Sequence, residues 1–207
     1  MRESTKIISS SIFAAIAAIL AILPLSFPFP IITFLKFDLA EIPIVLALLL
    51  YGFPPALLAT IVYWIILLGF GSFSPIGPTM RFLATTSMIV GIYGGYVMFR
   101  EERIELNPSA LPIAAGTLVG MVFRVLVMTL ANYVVLIMLF PDFLSYAVND
   151  VCKALGWSFS SNEEAVFWVF TFVAAFNVLQ TILSVVPAVV IVKAVLRRIG
   201  KSQSSVP

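Results

Sequence analysis

The feature that most constrains this chain is a succession of apolar stretches on the order of 17–25 residues, the length a helix needs to cross about 30 Å of hydrocarbon. The first runs from Ile7 to Leu23, and others recur as far as Arg198. A membrane β-barrel would instead alternate apolar and polar residues in segments of about ten. The runs therefore predict an all-α integral membrane protein. Composition agrees: 61% of the 207 residues are hydrophobic and 11% charged, against about half and about a quarter in soluble domains.

Helix breakers divide the runs into six transmembrane helices. The first extends from about Lys6 to Leu23 and stops at Pro24, after which Pro28 and Pro30 keep the backbone extended. A second, short helix opens at Asp38, a cap candidate with Glu41 three residues on, and ends at the Tyr51-Gly52-Phe53-Pro54-Pro55 turn. The third covers Pro55 to Phe70, a Gly-, Ser- and Pro-rich loop follows to Pro78, and the fourth covers Thr79 to Phe99. The charge-dense segment Arg100 to Ser109 must be solvated. Beyond it the fifth helix, Ala110 to Phe140, exceeds a minimal span, so tilt or protrusion is expected. A polar loop from Pro141 to Asn162, holding a short helix at Tyr146 to Leu155, leads to the sixth, Glu163 to Arg198. Residues 1–200 thus read as a single membrane domain and 201–207 as a disordered tail.

Six spans put both termini on one side. Arg2, Lys6, Arg100, Arg103, Lys193, Arg197, Arg198 and Lys201 gather there, whereas the other side has Lys153 and Lys36. By the positive-inside rule both termini and the tail are cytoplasmic. The stretch Ser26 to Pro43 and the loops at 69–78 and 141–162 then face outward, and any site they form opens outward.

Several chemistries are excluded. The chain has no histidine, one cysteine, Cys152, no C-x-x-C and no G-x-x-x-x-G-K-[ST]. It therefore offers no disulfide framework, zinc site, histidine general base or ATP hydrolysis of its own. A net charge of +2 does not point to nucleic acid. Arg2 and Lys6 before the first apolar run imitate a signal peptide, but no A-x-A site follows, so the run reads as a retained helix.

Polar residues inside the spans carry the functional signal. Arg124 falls mid-helix, where an unpaired arginine costs about 2.5–3.5 kcal/mol on insertion scales. Asp38 and Glu41 are its candidate partners, because every other acid lies in an aqueous segment. The pair is either a lock between helices or the polar floor of a ligand cavity. Asn132 lies two turns beyond Arg124, while Asn177 and Gln180, three apart, share one face of the sixth helix. Each amide alone is either interhelical glue, at about 0.6 kcal/mol per bond, or a ligand contact. Together with Lys36, Asp38 and the aromatics Phe34, Phe37, Trp64 and Tyr133, they suit a neutral, flat, hydrogen-bonding heterocycle better than an ion. On the first helix Ser10, Ala14 and Ala18 recur every four residues. Such a small-residue stripe is either an internal seam or a docking face for a second protein.

Four segments, in order, resemble the substrate-binding S components of energy-coupling factor (ECF) vitamin transporters, and within them the riboflavin-binding branch. They are "FLKFDLAEIP", "YGFPPALLAT", "VLVMTLANYVVL" and "AFNVLQ". The resemblance implies that the stretch between the first two helices is a ligand-contacting lid over an outward-facing riboflavin pocket. Leu35, Lys36, Asp38, Asn132 and Asn177 are the ligand contacts it implies, and Gln180 joins them from the face it shares with Asn177. It also implies that Ala14 and Ala18 dock on a membrane-embedded coupling protein driven by two cytoplasmic ATPases, and that the vitamin is cargo with no cofactor or metal needed. Two positions depart from the branch: Gln180 stands where lysine is usual, and Arg81 where asparagine is common. An S component for another vitamin is one alternative. A stand-alone secondary transporter is a second, though no inverted repeat relates residues 1–100 to 101–207. A small membrane enzyme is the third, disfavoured by the missing histidine and by the absence of an acid pair at helical spacing inside the membrane.

Overall fold

The computed structural model describes residues 3–23, 25–71, 73–98 and 110–203. Arg2, Pro24, the segment Arg100 to Ser109 and residues 204–207, all used in the sequence reading, lie outside that set. Seven helices follow in order: α1 (Glu3–Ile22), α2 (Glu41–Tyr51), α3 (Phe53–Phe70), α4 (Ile76–Met98), α5 (Ala110–Tyr133), α6 (Pro141–Leu155) and α7 (Asn162–Gln203). Between α1 and α2 a minimal antiparallel hairpin pairs β1 (Phe27–Pro28) with β2 (Lys36–Phe37), Phe27 opposite Phe37 and Pro28 opposite Lys36.

Among the described residues, four segments are long and apolar enough to cross a membrane: Ser4–Ile22, Phe53–Phe70, Leu111–Leu139 and Asn162–Arg198. The 11-residue α2 is too short to count among them, and glycines, threonines and Arg81 dilute the hydropathy of the 23-residue α4. Large apolar side chains such as Ile7, Ile12, Leu118, Leu126, Leu130 and Val190 stay exposed along these helices. That is the surface hydrocarbon tails would cover.

Several expected boundaries move. The second helix starts at Glu41 rather than Asp38, and the Asp38 carboxylate instead accepts the Ala40 N–H at 3.0 Å through Oδ1. The short helix in the fifth connection is longer than expected. It starts at Pro141, whose missing N–H is harmless in a first turn, carries Asp142 there and Lys153 in its last turn, and ends on Gly156 at φ 68°. The final helix runs to Gln203, into the segment expected to be a tail. The fifth helix does not continue regularly: after Tyr133 it widens into a π-helical turn, Val134–Leu139, closed by the Phe140 N–H on the Val135 carbonyl at 2.8 Å.

Two packing devices position the site. At one end α4 and α5 touch backbone to backbone. A Cβ on Gly91 would lie 2.6 Å from Gly120 Cα, and one on Gly95 would lie 2.9 Å from Gly116 Cα. Two G-x-x-x-G faces thus cross antiparallel, as small residues allow in membranes. At the other end the segment between α1 and α2 folds inward. Phe29, Ile32 and Phe37 are buried with Leu136, Ala147, Val151, Val169 and Val173 from the π turn, α6 and α7. Asp150 on α6 holds this segment at its tip, its Oδ2 accepting the Thr33 N–H at 2.9 Å and the Thr33 hydroxyl at 2.6 Å.

Candidate functional site

Beneath that segment lies a cavity of about 560 Å³, within the range of about 300–1,000 Å³ typical of small-molecule sites. Helical periodicity explains its walls. α4 contributes Gly77, Met80, Arg81 and Ala84, α5 contributes Arg124, Met128 and Asn132, and α7 contributes Phe176, Asn177 and Gln180. Each set recurs every three or four residues, so each is one helix face. Thr33, Phe34, Leu35, Lys36 and Asp38 close one side, with Phe73 and Phe143 beside them.

The floor is a buried polar node. Glu41 Oε2 accepts from Arg124 Nη1 at 2.6 Å, from the Ser184 hydroxyl at 2.7 Å and from Gln180 Nε2 at 3.4 Å, while Oε1 faces the Thr85 hydroxyl at 3.4 Å. Arg124 Nε donates to Asn177 Oδ1 at 3.0 Å. The side chains of Arg124 and Glu41 are 3% and 8% exposed. The node ties α2, α4, α5 and α7 together. Of the two candidate acids, Glu41 is thus the partner of Arg124.

Asp38 has a different partner. Its Oδ2 takes a salt bridge from Arg81 Nη1, which also lies 3.5 Å from the Tyr63 hydroxyl. Burial pushes the Asp38 carboxyl above the usual carboxylate range, while the Arg81 guanidinium pulls it down. Gln180 braces the same residue from α7, its Nε2 donating to the Asp38 carbonyl at 2.9 Å and its Oε1 facing the Asp38 N–H at 3.4 Å. Gln180 therefore grips the main chain of the loop as well as bordering the cavity.

The structure brings Leu35, Lys36, Asp38, Asn132, Asn177 and Gln180 to one cavity, with Arg124 and Glu41 beneath. Phe34 joins them, whereas three expected aromatics turn elsewhere. Phe37 is buried against Phe176 at 4.8 Å between ring centres, Trp64 donates to the Thr79 hydroxyl at 3.4 Å, and Tyr133 is exposed beside Phe170. Ala14 and Ala18 also differ from the docking expectation. Fully buried and 5% exposed respectively, they sit where α1 packs on α2 and α3, and the neighbouring Ser10 hydroxyl donates to the Pro55 carbonyl at 3.0 Å. In the isolated chain both alanines are covered by the protein's own helices, as the seam alternative expects. Sequence reasoning passed over Arg81, Met80, Met128, Phe176, Phe73 and Phe143 as wall residues. Phe176 and Met128 were within reach, since they lie one residue before Asn177 and one turn before Asn132 on the same helix faces.

The family model of the ECF transporter substrate-specific component matches residues 5–192. The chain belongs to this family. It is a multi-pass protein of the plasma membrane, in a family of transport components. Riboflavin transporter RibU of Staphylococcus aureus (strain TCH60) is 25% identical over 141 residues, 68% of this chain and 69% of RibU. Riboflavin transporter FmnP of Bacillus subtilis (strain 168) is 31% identical over 151 residues, 70% of this chain and 74% of FmnP. A solved S component of a bacterial ECF transporter superposes with a TM-score of 0.72 at 18% identity, covering 96% of this chain and 99% of that one. At that identity the likeness speaks to fold alone.

Proposed function

We propose that this S component is the high-affinity riboflavin-binding subunit of an ECF importer, and that it delivers the vitamin to a separate coupling protein driven by two cytoplasmic ATPases. The observation that carries this reading is the cavity. Its size, the aromatic rings of Phe34, Phe73, Phe143 and Phe176, and its few placed polar groups suit a flat heterocycle with a polar tail. Two relatives named as riboflavin transporters favour a flavin among such heterocycles. The reading takes α2 and α4 as spans alongside the four longer ones, with both termini cytoplasmic and the segment from Phe27 to Phe37 facing out. Lys36 and Asn132 then meet the ligand directly, and Leu35, Asp38, Asn177 and Gln180 shape the wall around it. Transport needs no reaction on the vitamin, so no catalytic residue, cofactor or metal is assigned.

A panel of vitamins in a thermal-shift assay tests this. A ligand that binds only the folded protein adds about 2.7 kcal/mol at a hundredfold excess over Kd, or roughly 5–10 °C for a chain of this length. Riboflavin should give that shift. Stabilisation by another vitamin, with none by riboflavin, would replace the flavin assignment with the second reading, an S component for a different heterocycle. The observation favouring that alternative is a single pair of departures, Arg81 and Gln180, which both fall on the cavity wall.

A further inference from the structure

The hydrogen-bonding capacity of the cavity wall is unevenly engaged. Each carboxamide nitrogen bordering it already donates to protein: Asn132 to the Met128 carbonyl at 2.8 Å, Asn177 to the Val173 carbonyl at 2.9 Å, and Gln180 to the Asp38 carbonyl at 2.9 Å. Asn177 Oδ1 accepts from Arg124 and Gln180 Oε1 faces the Asp38 N–H. The carboxylates are engaged too, Glu41 in the floor node and Asp38 by the Ala40 N–H and Arg81. Among the described residues, the charged groups of the wall left to meet a ligand are therefore donors. Lys36 is exposed at the rim, and the Arg81 guanidinium is engaged only through Nη1. Asn132 Oδ1 is the one acceptor among the three carboxamides without a protein partner in that set.

Arg81 is also held in a fixed pose. Its side chain is 34% exposed and lines the cavity, and the ion pair with Asp38 anchors one nitrogen of a planar fork, leaving the other N–H groups without a protein partner among the described residues. From the Gly91–Gly120 crossing, Arg81 lies ten residues along α4 and Asn132 twelve along α5. At about 1.5 Å per residue both stand roughly 15–18 Å from the crossing, level with each other. Arg124, only four residues along, lies well beneath them.

We infer that Arg81 is a specificity-determining residue of the cavity: its unengaged N–H groups meet an acceptor edge of a planar heterocycle, a carbonyl oxygen and its adjoining unprotonated ring nitrogen, while Asn132 Oδ1 meets a ring N–H. This deepens the flavin reading and rests on it. The oxidised isoalloxazine ring carries both kinds of edge. A heterocycle with amino groups at that edge would set donor against donor and be rejected.

The test titrates purified full-length protein with riboflavin by fluorescence quenching. The chains compared are the unaltered one, R81K, R81Q, D38N and D38N/R81Q, each also melted without ligand. R81Q alone strands a buried carboxylate. D38N removes that charge while keeping an oxygen for the Ala40 N–H, so the double variant asks about Arg81 apart from the ion pair. R81Q should weaken binding about 10–100-fold, the range expected for a bond to a charged donor, in both backgrounds. In R81K one ammonium can hold Asp38 but cannot also reach the ligand, so ligand-free stability should recover without affinity. Recovery of both in R81K, or equal affinity in D38N and D38N/R81Q, would mean that Arg81 acts only by holding Asp38, and the proposal falls. R81K decides alone where an R81Q chain does not fold. If the unaltered chain binds no riboflavin, the flavin reading fails first and takes this proposal with it.

Discussion

Replacing Glu41 by glutamine should destabilise the protein far more than the loss of any single amide in the bundle. Two effects compete for the magnitude. The three neutral donors on the Glu41 carboxylate, from Ser184, Gln180 and Thr85, are interhelical hydrogen bonds. At about 0.6 kcal/mol each, they sum to no more than about 2 kcal/mol, and glutamine keeps one acceptor oxygen for them. The charge pair is the larger effect. With both side chains under a tenth exposed, removing one partner leaves an uncompensated buried cation, which costs about 3–5 kcal/mol. At roughly 2–4 °C per kcal/mol for a chain of this length, E41Q should melt on the order of 6–20 °C lower.

The control removes the other charge as well. In E41Q/R124M no stranded ion remains, so the cost of an uncompensated buried charge is removed, while glutamine keeps an acceptor oxygen for the Ser184 hydroxyl. The double variant should therefore recover most of the melting temperature lost by E41Q. Unfolding in detergent, followed by tryptophan fluorescence without ligand, reads both. The reasoning is refuted if E41Q melts within about 2 °C of the unaltered protein, or if the double variant melts as low as E41Q.

Ala14→Leu should lower the melting temperature of the isolated protein by several degrees, since overpacking a filled seam costs about 1–3 kcal/mol. An unchanged melt together with lost uptake by the assembled transporter would instead return that face to partner docking. Gln180→Lys should weaken riboflavin binding about 3–10-fold in a quenching titration, because an ammonium cannot accept the Asp38 N–H and adds a fourth cation to Lys36, Arg81 and Arg124 on the wall. Tighter binding would show that the amide does not hold the loop.

Much of this was legible because hydrocarbon makes polar residues conspicuous. Arg124 demanded a carboxylate, and one of the two acids named for it is its partner. Asn177 and Gln180 share a face because helical geometry requires it, and both border the cavity. Other features needed coordinates. Choosing between Asp38 and Glu41 depends on where α2 begins, and the chain enters the helix only at Glu41, leaving Asp38 in the loop to meet Arg81. Trp64 lies on a helix apolar all round, where periodicity gives no inward face, and Tyr133 lies one residue beyond Asn132, off the α5 face that lines the cavity. The small-residue stripe on α1 fits a seam or a dock equally well by sequence. The two G-x-x-x-G repeats, Gly91 with Gly95 and Gly116 with Gly120, were readable and name the tightest contact in the bundle, the α4–α5 crossing.

That crossing also accounts for why a cavity exists at all. Near Gly91 and Gly120 the two backbones touch, and most residues facing each other beyond the crossing carry long side chains. Arg124 Nη1 lies 3.5 Å from Met88 Sδ, and farther along stand Ala84, Arg81 and Met80 on α4, with Met128 and Asn132 on α5. Side chains of that size cannot interdigitate at backbone contact distance, so a pair of helices pinned at glycines opens as a wedge toward its other end. The 11-residue α2 is too short to fill the opening, and the loop before it descends into the space, fixed by Arg81 and Gln180 at Asp38 and by Asp150 at Thr33. The π-helical turn at the end of α5 brings Val135 and Leu136 to the cavity wall. Filling either glycine face would push the helices apart at the hinge of the wedge, altering the spacing of Arg81 and Asn132 without touching either residue.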